Sequence, residues 1–91
     1  MEKNLIKKFH DDTGKTYKHL TNTVNLILRK DLNSIYRTCN STLENYANGT
    51  TVPSVSDIIK AIAKMVKVTP EELMKNLNRY KEAKHGKNSI S

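Results

Sequence analysis

The chain has 91 residues, which is enough for one small domain and leaves no room for a second. Hydrophobic residues make up 36% of the chain, with no Trp and one Phe, so the core must consist mainly of Leu, Ile, Val and Met. A single cysteine, Cys39, excludes an intramolecular disulfide, and it is predicted to be a small core side chain. Because no apolar run is long enough for a membrane span or a secretory leader, we expect a cytoplasmic protein.

Charge is the strongest compositional feature, with 16 Lys and Arg against nine Asp and Glu, a net charge of +7. The excess lies in the two flanks: residues 1–30 carry +4 and residues 58–91 carry +5, whereas residues 31–57 carry −2. A positive protein attracts polyanions through its long-range field and through counterion release. The composition therefore has two interpretations, a nucleic-acid partner or a Lys-rich surface that only maintains solubility.

The first half of the chain predicts two helices and an ambiguous segment. Residues 2–10 are predicted to form a short helix that a turn at 11–14 ends. A second helix is predicted over 15–30, because apolar side chains recur there three or four residues apart: Tyr17, Leu20, Val24, Ile27 and Leu28. Residues 31–38 allow a helix of about two turns. Asp31 would cap it, and it would bury Leu32, Ile35 and Tyr36.

The second half carries clearer boundaries. Ser41-x-x-Glu44 is a capping-box pattern that starts a helix, and Asn48-Gly49 ends it, which gives a helix over 41–48. An amphipathic helix follows over 54–66. The last helix begins at Thr69, with a second capping box to Glu72. Residues 84–91 are predicted to be a flexible basic tail after a single domain of residues 1–83. No strand is predicted, so the fold class is all-α.

Residues 38–77 present a turn, a glycine, a proline and two capped helices in a fixed order. The matching residues are Thr42-Leu43-x-x-Tyr46-x-Asn48-Gly49, Pro53-Ser54, Ile58-Ile59-x-Ala61-Ile62-Ala63-x-Met65-Val66 and Val68-Thr69-Pro70-Glu71-Glu72-Leu73. This order resembles the lambda-repressor and Cro-like helix-turn-helix family. The resemblance implies a compact five-helix helix-turn-helix domain, to which a short amino-terminal helix could be added. The family often has a Gly in the turn before the recognition helix, and here Asn40 is predicted to take the left-handed conformation instead.

The resemblance also implies a function. The chain would be a small sequence-specific regulator of transcription that binds double-stranded DNA as a homodimer on a pseudo-palindromic site, with helix 41–48 in the major groove. The implied base contacts are Asn40, Ser41, Thr42, Asn45 and Asn48. The implied phosphate contacts are Lys15, Lys18, Arg29, Lys30 and Arg37. The simpler interpretation of Glu44 is a helix cap, and of Asn45 and Asn48 it is solvent exposure and helix termination.

Other functions remain open. The acidic balance of residues 31–57 favours a protein-interaction module on the same scaffold, of a phage or mobile-element type, that binds and inhibits a host protein. An RNA target and a Lys-rich helical bundle with an accidental resemblance also stay open. We expect no enzyme, cofactor or metal, because His10, His19 and His85 are scattered and none lies at metal-ligand spacing with Cys39. The chain also has no Gly-rich phosphate loop and no nucleophile motif.

Overall fold

The computed structural model describes residues 3–90 of the chain and the side chains of residues 3–83. Within them the backbone forms five α-helices and no strand, which confirms the prediction of a five-helix, all-α domain. The helices are α1 (Leu5–Thr13), α2 (Tyr17–Lys30), α3 (Asn40–Asn48), α4 (Ser56–Val66) and α5 (Pro70–Ile90). The amino-terminal helix α1 is one of the five, so no additional helix precedes them in the described residues.

Helix α2 packs against α3 and α4. Helix α4 also packs on α5, and α1 closes the domain by contacting α3, α4 and α5. The apolar stripe predicted for α2 is confirmed, since Leu20, Val24 and Leu28 are fully buried. The other buried apolar side chains come from all four remaining helices: Ile6, Leu43, Tyr46, Ala47, Ile58, Ala61, Ile62, Ala63, Met65, Leu73 and Leu77.

Helix α1 starts and ends later than predicted. It continues through Asp11 and Asp12, which the sequence assigned to a turn, and ends at Gly14 in the left-handed conformation (φ 71°). Carboxylates near a helix carboxyl end oppose the helix dipole, but here each has a lysine partner. Lys3 Nζ lies 2.8 Å from Asp11, and Lys8 Nζ lies 3.9 Å from Asp12.

The helix predicted within residues 31–38 is absent, and residues 31–39 form an irregular segment. Asp31 ends α2 instead of starting a helix, because its N–H donates to the carbonyl of Ile27. Asn33 is left-handed (φ 49°), which stops helical growth, and it takes the conformation that was predicted for Asn40. The prediction that Ile35 and Tyr36 are buried is also wrong, since 90% of Ile35 and 46% of Tyr36 remain exposed.

The last two helices start close to their predicted positions. Helix α4 begins at Ser56, two residues later than predicted, after the buried Pro53. The Thr69 half of the capping box predicted for α5 is confirmed, because the Thr69 hydroxyl accepts the N–H of Glu72 at 3.1 Å. The backbone of α5 is helical through Ile90, so the helix includes residues 84–90 of the predicted tail. The flexibility of that tail stays a prediction.

Candidate nucleic-acid interface

Helix α3, the predicted recognition helix, has one buried face and one polar face. Leu43, Tyr46 and Ala47 pack into the core and fix the helix in place. The polar face carries every base-contact candidate: Asn40, Ser41 and Asn48 are exposed, and Thr42 and Asn45 are half-buried. Glu44 is exposed on the same face. Four of the predicted base-reading residues therefore lie within about 140° of helical rotation on the face of α3 that is not packed into the core, and Thr42 lies about 200° from Asn40.

The start of α3 differs from the predicted capping box. Helix α3 begins at Asn40 with Cys39 as its N-cap, so Ser41 lies inside the first turn and cannot cap the helix with Glu44. Cys39 is exposed, and the prediction that it belongs to the core is wrong. Its Sγ lies 3.4 Å from the Ser41 hydroxyl and 3.1 Å from the Thr42 hydroxyl. Hydrogen bonds from the side chains of Ser41 and Thr42, supported by their backbone N–H groups, lower the pKa of Cys39 to about 7.

The polar side chains of α3 differ in how far the protein already uses them. Asn48 Oδ1 accepts hydrogen bonds from the backbone N–H and the hydroxyl of Thr50, which closes the turn after α3. That geometry fits the helix-terminating interpretation of Asn48, and Gly49 completes the stop with φ 82°. The hydroxyls of Ser41 and Thr42 are next to Cys39 Sγ. In contrast, the side-chain amides of Asn40 and Asn45 make no hydrogen bond with any described residue and remain available to a partner.

A pair of hydrogen bonds joins the amino-terminal end of α3 to the middle of α2. Asn25 Oδ1 accepts the N–H of Thr38 at 2.8 Å, and Asn25 Nδ2 donates to the carbonyl of Thr38 at 3.0 Å. The amide thus binds both polar groups of one backbone residue. This contact holds the irregular segment 31–39 against α2 and places the start of α3 beside Asn25.

Basic side chains of α2 lie on the same stripe as Asn25. Relative to Asn25, Lys18 lies seven residues earlier, Asn22 three residues earlier and Arg29 four residues later. This spacing aligns the four side chains along one side of the helix, as a polar stripe separate from its apolar stripe. Lys18, Asn22 and Arg29 are exposed. Tyr17 at the start of α2 lies near Glu44 in the middle of α3, since its pKa is raised by burial and, to a smaller extent, by the carboxylates of Asp11 and Glu44. The stripe and the polar face of α3 are therefore neighbours.

The remaining phosphate-contact candidates are placed less uniformly. Lys15 is exposed just before α2, and Lys30 is exposed one position, about 100° of helical rotation, away from the stripe. Arg37 folds back on its own segment, where Nη1 donates to the carbonyl of Ser34 at 2.7 Å and to that of Tyr36 at 2.6 Å. Of the five candidates, Lys18 and Arg29 thus share the side of α2 that carries Asn25.

Two buried asparagines that sequence reasoning missed, Asn4 and Asn76, bind the start of α1, and Asn4 also binds the end of α3. Asn4 is fully buried, and its Oδ1 accepts the N–H groups of Ile6 and Lys7 at the start of α1. Its Nδ2 donates to the carbonyl of Tyr46 at 2.9 Å, in the last turn of α3. Helix ends leave such N–H and C=O groups without a helical partner. One amide therefore caps the start of α1 and the end of α3 together.

Asn76 of α5 completes this junction. Its Oδ1 accepts the N–H of Leu5 at 2.9 Å, and its Nδ2 donates to the carbonyl of Lys3 at 3.0 Å. Asn76 is 4% exposed, so its amide is buried, and the two bonds to the backbone are partly buried. Asn4 has a local signal, because an asparagine just before a helix is a typical N-cap, but its contact with Tyr46 is not local. No local pattern signals Asn76, because its partners lie 71 and 73 residues away in the chain.

The segment between α2 and α3 exposes large apolar side chains. The structure identifies Leu26, Ile35 and Tyr36 as the large hydrophobic residues left exposed among the described side chains. Ser34 N–H binds the carbonyl of Leu28, and Thr38 binds Asn25, so residues 34–38 run back along the part of α2 that carries Leu26. Ile35 and Tyr36 thus lie in the segment just before α3, and Leu26 lies on the part of α2 beside that segment.

Comparison of the chain with known protein families, with curated proteins and with solved structures finds no match. The helices in the part of the chain that the structure describes are too short or too polar to span a membrane. Among the described residues, no group of three or more His, Cys, Asp and Glu side chains is placed to hold a metal ion. The interface is therefore interpreted from its own geometry and charge.

Proposed function

We propose that this protein is a small sequence-specific regulator of transcription that binds double-stranded DNA as a homodimer on a pseudo-palindromic site. Helix α3 would enter the major groove and read base edges with its polar face. The observation that carries the proposal is the position of this face beside the α2 stripe with Lys18 and Arg29.

The division of polar groups supports a groove-reading role. Side chains that read bases must be free to exchange hydrogen bonds with base edges, and the amides of Asn40 and Asn45 meet that condition. Phosphate contacts come from cations beside the reading helix, and Lys18 and Arg29 are exposed on the same side of α2 as Asn25, which holds the segment just before α3. The chain thus offers both kinds of contact on adjacent surfaces.

Rigidity supports the same role. Helix α3 is short, with nine residues, and an isolated helix of this length is unstable in water. Three contacts fix it in place. Its apolar face packs into the core, Asn25 binds the Thr38 backbone just before its start, and Asn4 binds the Tyr46 carbonyl near its end. A helix held in this way meets a partner without a large loss of conformational entropy.

The experiment is selection from random duplex DNA, followed by affinity measurements across a salt series. We expect a pseudo-palindromic site bound by two chains. If each chain neutralises about three phosphates, the logarithm of the association constant should fall with the logarithm of salt concentration with a slope near −5. Lys18→Ala should reduce the slope by about 1 per chain, whereas Lys75→Ala on the exposed surface of α5 should leave it unchanged. Weak binding with no sequence preference would contradict the proposal.

A second candidate function has its own supporting observation. The exposed side chains of Leu26, Ile35 and Tyr36 lie in or next to the one stretch of the chain that is not basic, and exposed apolar groups favour a protein partner. Under this alternative, the domain binds and inhibits a host protein of a cell that carries a phage or mobile element. Ile35→Ser would then abolish capture of that protein, whereas Asn45→Ala would not. If Ile35→Ser leaves protein capture unchanged, this alternative is wrong.

A further inference from the structure

Within the proposed function, we infer that the half-site bound by α3 is rich in A·T base pairs and that the amides of Asn40 and Asn45 read adenine. The inference rests on DNA binding and goes further by naming the class of sequence recognised. It follows from the chemistry of the α3 surface and from which of its groups are free.

The reading surface carries no cations. Residues 38–59 contain no Lys and no Arg, so the polar face of α3 carries amides, hydroxyls and one carboxylate. Guanine presents two acceptors in the major groove, N7 and O6, and Arg or Lys is the usual side chain that binds both. Helix α3 has no such donor and cannot favour guanine by this contact.

The amides of α3 differ in whether they are free to bind a base. Adenine presents an acceptor at N7 and a donor at N6, and a carboxamide matches both at once. Asn48 has its carbonyl oxygen engaged by Thr50, whereas the Asn40 and Asn45 amides are unpaired among the described residues. On the helix these two side chains project about 140° apart. They therefore border the two edges of the exposed face.

Glu44 lies between Asn40 and Asn45 on the exposed face of α3. A carboxylate repels the acceptor pair of guanine and accepts a hydrogen bond from an amino group. It tolerates adenine N6 or cytosine N4 at the position it faces. Glu44 thus disfavours guanine on the contacted strand. A single cytosine at the position that Glu44 faces is the one exception to the A·T preference that this chemistry permits.

The test begins with the sites selected from random duplex DNA. We expect half-sites rich in A·T pairs, with at most one cytosine on the strand that faces Glu44. Replacement of the contacted adenine by 7-deazaadenine removes N7 without altering Watson–Crick pairing, and it should weaken binding by roughly tenfold. Asn45→Ala and Asn40→Ala should each weaken binding to the unmodified site by a similar factor. For each variant, 7-deazaadenine at the adenine that the deleted amide contacted should cause no further loss of binding.

Matched variants separate this inference from the proposed function. Asn78→Ala, at an exposed asparagine of α5, should change neither affinity nor site preference. Asn45→Arg should move the preference at one position from adenine to guanine. Circular dichroism of each variant checks that the fold is retained.

The outcomes are distinct. A selected site rich in G·C, or an A·T-rich site whose affinity is insensitive to both Asn→Ala variants and to 7-deazaadenine, would overturn the adenine assignment and leave DNA recognition standing. Failure to select any site would instead reject the proposed function, and the inference with it.

Discussion

Asparagine side chains have different roles in two regions of this domain. At the junction of α1, α3 and α5, Asn4 and Asn76 are buried, and both ends of each amide are hydrogen-bonded. On the exposed face of α3, Asn40 and Asn45 have amides with no partner among the described residues. A buried amide must find its partners inside the fold, whereas an exposed one exchanges water for a ligand at little cost. The same residue type therefore stabilises one region and is available for recognition in the other.

The largest expected effect is at the buried junction. Asn4→Ala removes a helix cap and leaves the N–H groups of Ile6 and Lys7 and the carbonyl of Tyr46 without their partner. We expect a loss of about 2–4 kcal/mol in the free energy of unfolding, measured by urea denaturation. Asn45→Ala is the matched control on the exposed face and should change stability by less than about 0.5 kcal/mol. Equal effects of the two substitutions would remove the distinction between the regions.

The next effect is on the thiol at the start of α3. With a pKa of about 7 in place of the ordinary 9.0, about half of Cys39 is thiolate at pH 7, compared with roughly 1% for an unperturbed thiol. Alkylation by iodoacetamide should reach half of its maximal rate near pH 7 in the folded protein. In the double variant Ser41→Ala/Thr42→Ala this midpoint should move upward, toward that of the urea-unfolded chain. A midpoint near 9 in the native protein would show that these hydroxyls do not stabilise the thiolate.

A smaller effect is expected where the two regions meet. Asn25→Ala deletes both hydrogen bonds to the Thr38 backbone and frees the segment 31–39 from α2. Because these bonds are only partly buried, we expect a loss of about 1–2 kcal/mol in stability. Hydrogen exchange should increase at the amides of residues 34–39 and stay constant in α5. A uniform increase throughout the domain would indicate that Asn25 supports the whole core instead.

The smallest effect is expected for a surface ion pair. Lys64 Nζ of α4 lies 2.8 Å from Asp31 at the end of α2, but both side chains are substantially exposed. Exposed pairs contribute little because water and salt screen them. Lys64→Ala should therefore lower the free energy of unfolding by less than about 0.5 kcal/mol, as measured in 0.15 M salt. A loss above 1 kcal/mol would mean that this pair contributes to the docking of α2 on α4.

The regular part of the fold could be predicted from the sequence because its signals are local. The apolar stripe of α2, the stop at Gly49 and the Thr69 cap each depend on residues within a few positions of one another, and the structure confirms them. The polar face of α3 followed from the same periodicity. The division of its polar side chains into free and engaged groups did not follow, because Cys39 engages the hydroxyls of Ser41 and Thr42, and Thr50 engages the amide of Asn48.

The segment 31–39 shows where local patterns mislead. Leu32, Ile35 and Tyr36 have helical spacing, but their burial requires a second surface to pack against. The left-handed Asn33 and the contacts of Ser34 and Thr38 with α2 fix an extended path instead. Those contacts join residues up to 13 positions apart, and propensity in a short window contains no information about them.

The Asn76 contacts also set an order of events during synthesis. A ribosome releases residues 3–8 long before it adds Asn76, which lies 71 residues after Leu5. Until then the N–H group of Leu5, at the start of α1, lacks its Asn76 acceptor and must bind water. Helix α1 is therefore synthesised long before the residue that completes its hydrogen bonds. A nascent chain stopped before residue 76 should carry an α1 that proteases can reach, and full protection should follow only after the residue has left the exit tunnel.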